Sequence, residues 1–211
     1  GRDERRMLRL SDMSGSSITN GFESYVRGYP LVDKDAYVLA RTWYAPEMSR
    51  PGCVWTHSLV IDNSDLELLD KPQLLLQYFT RPDVDWSRTQ YSKTIIVDTQ
   101  ALSLFINDDV FTVSTSLLTS MWYSLYTMPS KQVLVSTNNI SKLEQMSFIV
   151  WEYQGASLRQ KFSFCTGAIE NRSSSELVFD LQIIPERNIS SIKHKYPDEI
   201  FITATEVSQS D

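Results

Sequence analysis

Two runs dense in aromatic and β-branched residues, AYVLARTW (36–43) and CVWTHSLVI (about 53–61), commit the first half of this chain to a sheet. Between them lies APEMSRPG (45–52), a loop with two prolines. Side chains alternate along a strand. Cys53, Trp55, His57, Leu59 and Ile61 therefore share one face, and Val54, Thr56, Ser58 and Val60 share the other. Both faces are largely apolar, which predicts a central strand.

Helical spacing enters around these runs. DERRMLRLSDM (3–13) reads as a short helix with Met7, Leu8 and Leu10 on its apolar side, ended by Gly15 and followed by a turn-rich linker at 14–21. KPQLLLQYF (71–79) reads as a helix capped by Asp70, with Gln73 completing a capping box. Further on, Leu118, Met121, Trp122 and Leu125 fall at helical spacing within 115–127, and Pro129 stops that helix. A second helix at 140–153 carries Leu143, Met146, Val150 and Tyr153 on one side. Strands are predicted at 93–98, 131–137, 162–166, 176–184 and 199–207, and 102–106 reads equally as a strand or a helix start.

The elements predict an α/β or mixed α+β fold in a single compact domain, 1–211. Its first half is largely β-rich, and strands and helices alternate in the second. The polar stretch 80–92 is a candidate internal boundary. A chain of 211 residues is long enough to bury a sizeable core without metals or disulfides.

Charge and motif content narrow the function classes. The formal net charge is −6, which argues against nonspecific binding to nucleic acid. No run approaches the roughly 20 apolar residues of a membrane span. Two cysteines are too few for a disulfide scaffold and point to reduced thiols in the cytoplasm. No glycine-rich phosphate loop, HExxH or CxxC is present, so no cofactor or metal is expected. The Asp108-Asp109 pair reads as solvated turn acids.

Cys53 and His57 stand four apart, roughly 13 Å along a strand, too far to share one metal ion. The one cysteine–histidine pair worth testing as a catalytic unit is Cys165 with His57, oriented by Asp180. A thiol nucleophile needs a base within about 3 Å. The alternative is a core or interface histidine, and the chain reads as more a binder than an enzyme. The aromatic residues favour binding as well. Trp43, Tyr44 and Trp55 gather about the 45–52 loop, with Arg41 and Arg50 beside them, and Trp86, Tyr91, Trp122 and Tyr123 add to the set. Such rings supply contact area and a polar handle together.

Three stretches, MLRLSDMSG (7–15), YVLARTWYAPEMSRPGCVWTHSLVI (37–61) and LRQKFSFCTG (158–167), together resemble the N-terminal domain of GTPase-associated proteins from bacterial conflict operons. The resemblance spans roughly residues 7–184. The matching motif positions are Arg41, Trp43, Pro51, Gly52, Trp55, Thr56, His57, Ser58, Phe164 and Thr166. It implies a protein-interaction or regulatory module in an anti-phage system, and it carries over no catalytic residue. The implied partner is a small GTPase or the protein's own missing C-terminal domains. The alternative is a cysteine/histidine-dependent hydrolase or a ligand-sensing domain. Members of that family carry a strand-like stretch with Tyr-Gly and Gly-His ahead of the Leu-Ser-Asp helix. The resemblance therefore implies that this chain is a fragment of a larger multidomain protein.

Overall fold

The computed structural model describes residues 1–11, 24–50, 52–97, 114–175 and 177–204. The linker at 14–21, the 102–106 stretch, Asp108-Asp109 and Pro51 lie outside them.

A seven-stranded mixed sheet runs through the molecule, in the order β3-β2-β1-β5-β6-β4-β7. The first half supplies an antiparallel set: β1 (Ser24–Pro30), β2 (Ala36–Tyr44) and β3 (Val54–Asp62). The second half supplies a parallel set: β4 (Val133–Thr137), β5 (Phe164–Cys165), β6 (Leu181–Pro185) and β7 (Ile200–Thr203). The two sets join where β1 meets β5 in antiparallel register, Arg27 opposite Cys165 and Gly28 opposite Phe164. The sheet is thus continuous across the 80–92 stretch, in a single compact domain that mixes α and β.

The helices are α1 (Arg2–Ser11), α2 (Asn63–Leu68), α3 (Arg88–Tyr91), α4 (Thr115–Thr127), α5 (Ile140–Glu152), α6 (Ala156–Arg159) and α7 (Ile189–Lys195), with 3₁₀ turns at Pro72–Tyr78 and Glu186–Asn188. The two longest, α4 and α5, have side-chain-capped starts. Ser114 Oγ accepts from the Leu117 amide, and Asn139 Oδ1 from the Lys142 amide.

Two cores follow from strand alternation. Val26, Tyr37, Leu39 and Leu59 face one side, where α4, α5 and the first 3₁₀ turn cover them with Met121, Phe148, Trp151 and Leu75. Tyr25, Tyr29, Val38, Ala40 and Cys165 face the other, under Leu10 of α1 and Ile192 of α7. Helix α1 is rich in charge, and a carboxylate docks it. Asp3 accepts from the backbone amides of Val32, Asp33 and Lys34, at 2.7, 3.1 and 3.0 Å. Leu8, expected on the apolar side, is exposed.

Several expectations need correction. The β3 strand is at the sheet edge, not the centre. Only the face carrying His57 and Leu59 is buried, and Val60 on the other is exposed, so apolar residues on both faces did not mark a central place. Residues 93–97 form no strand. The 71–79 helix is a 3₁₀ turn starting after Lys71, with no side-chain cap, so the Asp70 capping box does not form. Tyr153 is exposed, and α5 instead buries Ser147, Phe148 and Trp151 beside Leu143 and Met146. Residues 177–180 precede β6 rather than belonging to it.

Gly28 sits in tight packing on β1. A β-carbon there would overlap the Phe164 ring and the Tyr37 hydroxyl. Gly28→Ala is expected to cost about 1–3 kcal/mol as overpacking, read as a lower urea midpoint at unchanged slope.

Candidate functional site

The residues singled out in the sequence fall into a polar row, an aromatic chain and an isolated thiol. The row crosses the sheet on the α5 side. His57 of β3 stands opposite Arg41 of β2, which stands opposite Val26 of β1. The Thr166 amide, just past β5, donates to the Val26 carbonyl at 2.9 Å, and the Val26 amide donates to Thr166 Oγ1 at 2.8 Å. Over this row sits Glu144 of α5. Its Oε1 accepts from Arg41 at 2.6 Å, and its Oε2 lies 3.2 Å from Thr166 Oγ1. Burial pushes the Glu144 carboxyl above its usual range, while Arg41 and Thr166 pull it back. Arg41, expected at a binding surface, is instead committed to this ion pair, with its side chain 22% exposed and that of Glu144 14%. The sequence reading missed Glu144, although Leu143 and Met146 place it at the border of the buried helix side.

His57 is held by its neighbours rather than by a catalytic partner. The Thr80 amide donates to its Nδ1 at 3.1 Å, so that nitrogen is unprotonated. Burial holds the imidazole below its usual range. Its ring packs edge-on against Phe79, 5.5 Å between centroids, and against Tyr91, 4.9 Å. From these two rings the aromatic chain continues in both directions. Phe79 meets Trp43 at 6.3 Å; Tyr91 meets Trp86 at 6.4 Å, and Trp86 meets Trp55 at 6.4 Å. Trp86 is 46% exposed. A polar clasp fixes the Trp55 end. Its indole donates to Glu47 at 2.8 Å, and Arg81 donates to both Glu47 oxygens and to the Tyr44 carbonyl, each at 2.8 Å. Hydrogen bonds from its own amide, from Trp55 and from Arg81 hold the Glu47 carboxyl low.

Of the expected surface set, Trp43 and Trp55 join this chain. Tyr44 packs toward the opposite core through its side chain. Arg50 is exposed and lines a separate cleft between α1 and β3. It sits at the turn into β3, where Gly52 takes a φ of 81° that favours glycine. Trp122 pairs with Tyr153 instead, at 6.0 Å, between α4 and the end of α5.

The structure does not bring His57, Cys165 and Asp180 together. Cys165 points to the α1 side of the sheet and His57 to the α5 side. The β2 and β1 strands intervene, three strand spacings or roughly 14 Å in all. Asp180 accepts from the Ser163 amide at 2.7 Å and from its hydroxyl at 2.9 Å, not from an imidazole. Complete burial pushes the Cys165 thiol up, the opposite of an activated nucleophile, although Arg27 pulls it down. Among the described residues no group of His, Cys, Asp and Glu is placed to hold a metal ion.

Residues 1–79 match the family model for GTPase-associated protein 1, N-terminal domain type 1. That span holds α1, the antiparallel strands, α2 and the first 3₁₀ turn, and it ends on Phe79 beside His57. The GTPase-associated match thus covers Trp43, Trp55, His57 and Glu47, but not Trp86, Tyr91 or Glu144. No curated protein and no solved structure matches the chain.

Two outcomes follow from this geometry. Arg41→Ala strands the Glu144 carboxylate and is expected to cost roughly 2–4 kcal/mol by urea denaturation, less than for a fully buried pair. Replacing both by Leu is expected to recover most of that loss. For His57 the folded pKa lies below the ordinary 6.5. The unfolded chain therefore takes up the proton first, and stability present above pH 6.5 is lost as pH falls toward the folded value. His57→Gln is expected to flatten the stability–pH curve in that window, measured by thermal melts from pH 7.5 to 5.

Proposed function

We propose that this chain is a protein-interaction module that acts by binding rather than catalysis. Its partner is a GTPase, or domains C-terminal to it in a larger protein, within a cytoplasmic bacterial defence system. One observation carries the reading. A continuous chain of aromatic rings, from Trp43 through Phe79, His57, Tyr91 and Trp86 to Trp55, lies along the outer strands of the sheet and presents the exposed indole of Trp86. Rings held in place by their neighbours give contact area at little further entropic cost, the composition of binding hot spots. The description of the family model over 1–79 supports a GTPase as the partner. Among the described residues no helix is long and apolar enough to cross a membrane, in keeping with a partner met in water.

The test is affinity capture from the native host by the full chain, loaded with GDP or with a non-hydrolysable GTP analogue. Recovery of a GTPase is the expected outcome, and dependence on the nucleotide would show that the module reads the switch state. Trp86→Ala is expected to weaken the interaction by about 2 kcal/mol, roughly 30-fold, with the fold intact by circular dichroism. Trp43→Ala should act similarly but also removes support from Phe79, so Trp86 is the cleaner probe. Unchanged capture by Trp86→Ala would remove this surface from the interface.

A further inference from the structure

The outer edge of β3 opens into a groove of about 800 Å³. Residues 57–62 form one wall; α2 and the stretch 91–97 form the others. Among the described residues β3 is hydrogen-bonded to β2 alone, and the backbone groups on its other side over 57–62 face this groove. A strand edge that faces a groove over residues 57–62 is a ready template for another strand.

The facing wall shows what kind of chain suits the place. Residues 93–97, KTIIV, have the composition of a strand, yet among the described residues no backbone hydrogen bond joins them to β3. Ile96 is 89% exposed and Ile95 half-exposed, so β-branched side chains stand beside an unfilled edge. The groove also has a direction. At one end His57 and Tyr91 close it with rings. At the other stand the exposed carboxylates of Asp62 and Asp65, and Lys93 is the one lysine or arginine among the lining residues.

We infer that this groove binds an extended peptide of a partner protein, added as a strand along β3. The peptide is β-branched in its middle and carries lysine or arginine at the end that meets Asp62 and Asp65. Main-chain hydrogen bonds supply affinity in this mode, and the pockets for alternate side chains supply selectivity. The inference rests on the interaction-module reading and gives that partner a chemistry.

The test is fluorescence polarisation with the full chain and labelled octapeptides of alternating Val and Thr. Two lysines, or two glutamates, occupy either the first or the last two positions. Saturable binding of one lysine peptide, at least 10-fold tighter than its glutamate counterpart, is expected. Methylating alternate backbone nitrogens should remove binding, and Asp62→Asn with Asp65→Asn should abolish the preference for lysine. Absence of saturable binding, or binding indifferent to N-methylation, would overturn the inference. So would a concentration-dependent dimer in sedimentation that Val60→Lys abolishes, because a second copy would then hold the edge. GTPase capture is scored separately, so failed peptide binding with intact capture overturns the groove alone.

Discussion

The meeting of β1 and β5 holds the two halves of this molecule in one sheet. Only two residue pairs make the ladder there, and side chains complete it. Thr166 extends the pairing by exchanging backbone and hydroxyl contacts with Val26. Tyr37 donates across the seam to the Phe162 carbonyl at 2.8 Å. Phe164 then sits among Phe162, Phe148 and Trp151, with ring centroids 5.6–5.7 Å away. Gly28 is what lets the strands come this close. An antiparallel unit from the first 62 residues and a parallel unit from 133 onward are joined by a seam with no spare volume.

The polar row above that seam is better understood as a positioning device than as a source of net stability. A buried ion pair seldom outperforms apolar residues of the same shape, but leaving one partner alone is costly. The Arg41 guanidinium, the Glu144 carboxylate and the Thr166 hydroxyl meet in one place of α5 over the sheet. Shifting the helix by one turn would separate all three. Two of the motif stretches noted in the sequence, around Arg41 and around Thr166, thus come together through a helix residue that neither contains.

Legibility in the sequence followed periodicity. The strands at 36–44 and 54–62 and the helices at 115–127 and 140–152 were readable because each repeats its apolar residues at the spacing of its own geometry. The position of β3 in the sheet was not, since alternation reports what covers a strand's faces and nothing about its edges. The stretch 93–97 misled for a related reason. Its β-branched residues state a preference for extended backbone, but a strand also needs a neighbour's hydrogen bonds, and none is supplied among the described residues. At the site, the aromatic residues were visible as a group while their linkage through Phe79 was not. The catalytic pairing of His57 with Cys165 was open to the sequence and closed by the sheet, because alternation sends those two side chains to opposite faces.

The span matched by the family model stops short of a finished surface. Several groups that orient its notable residues come from just beyond Phe79. Thr80 fixes His57 Nδ1, Arg81 clasps Glu47, Trp86 covers Trp55, and Tyr91 packs on His57. The same dependence holds at the other side of the antiparallel strands. β1 would be a bare edge without β5, and Arg41 would lack its carboxylate without α5. Residues 80–91 are therefore not a spacer between units. They close the rings and clasps of the first three strands from outside, as α5 and β5 close them from within. The aromatic surface exists as a surface only because both closures are made.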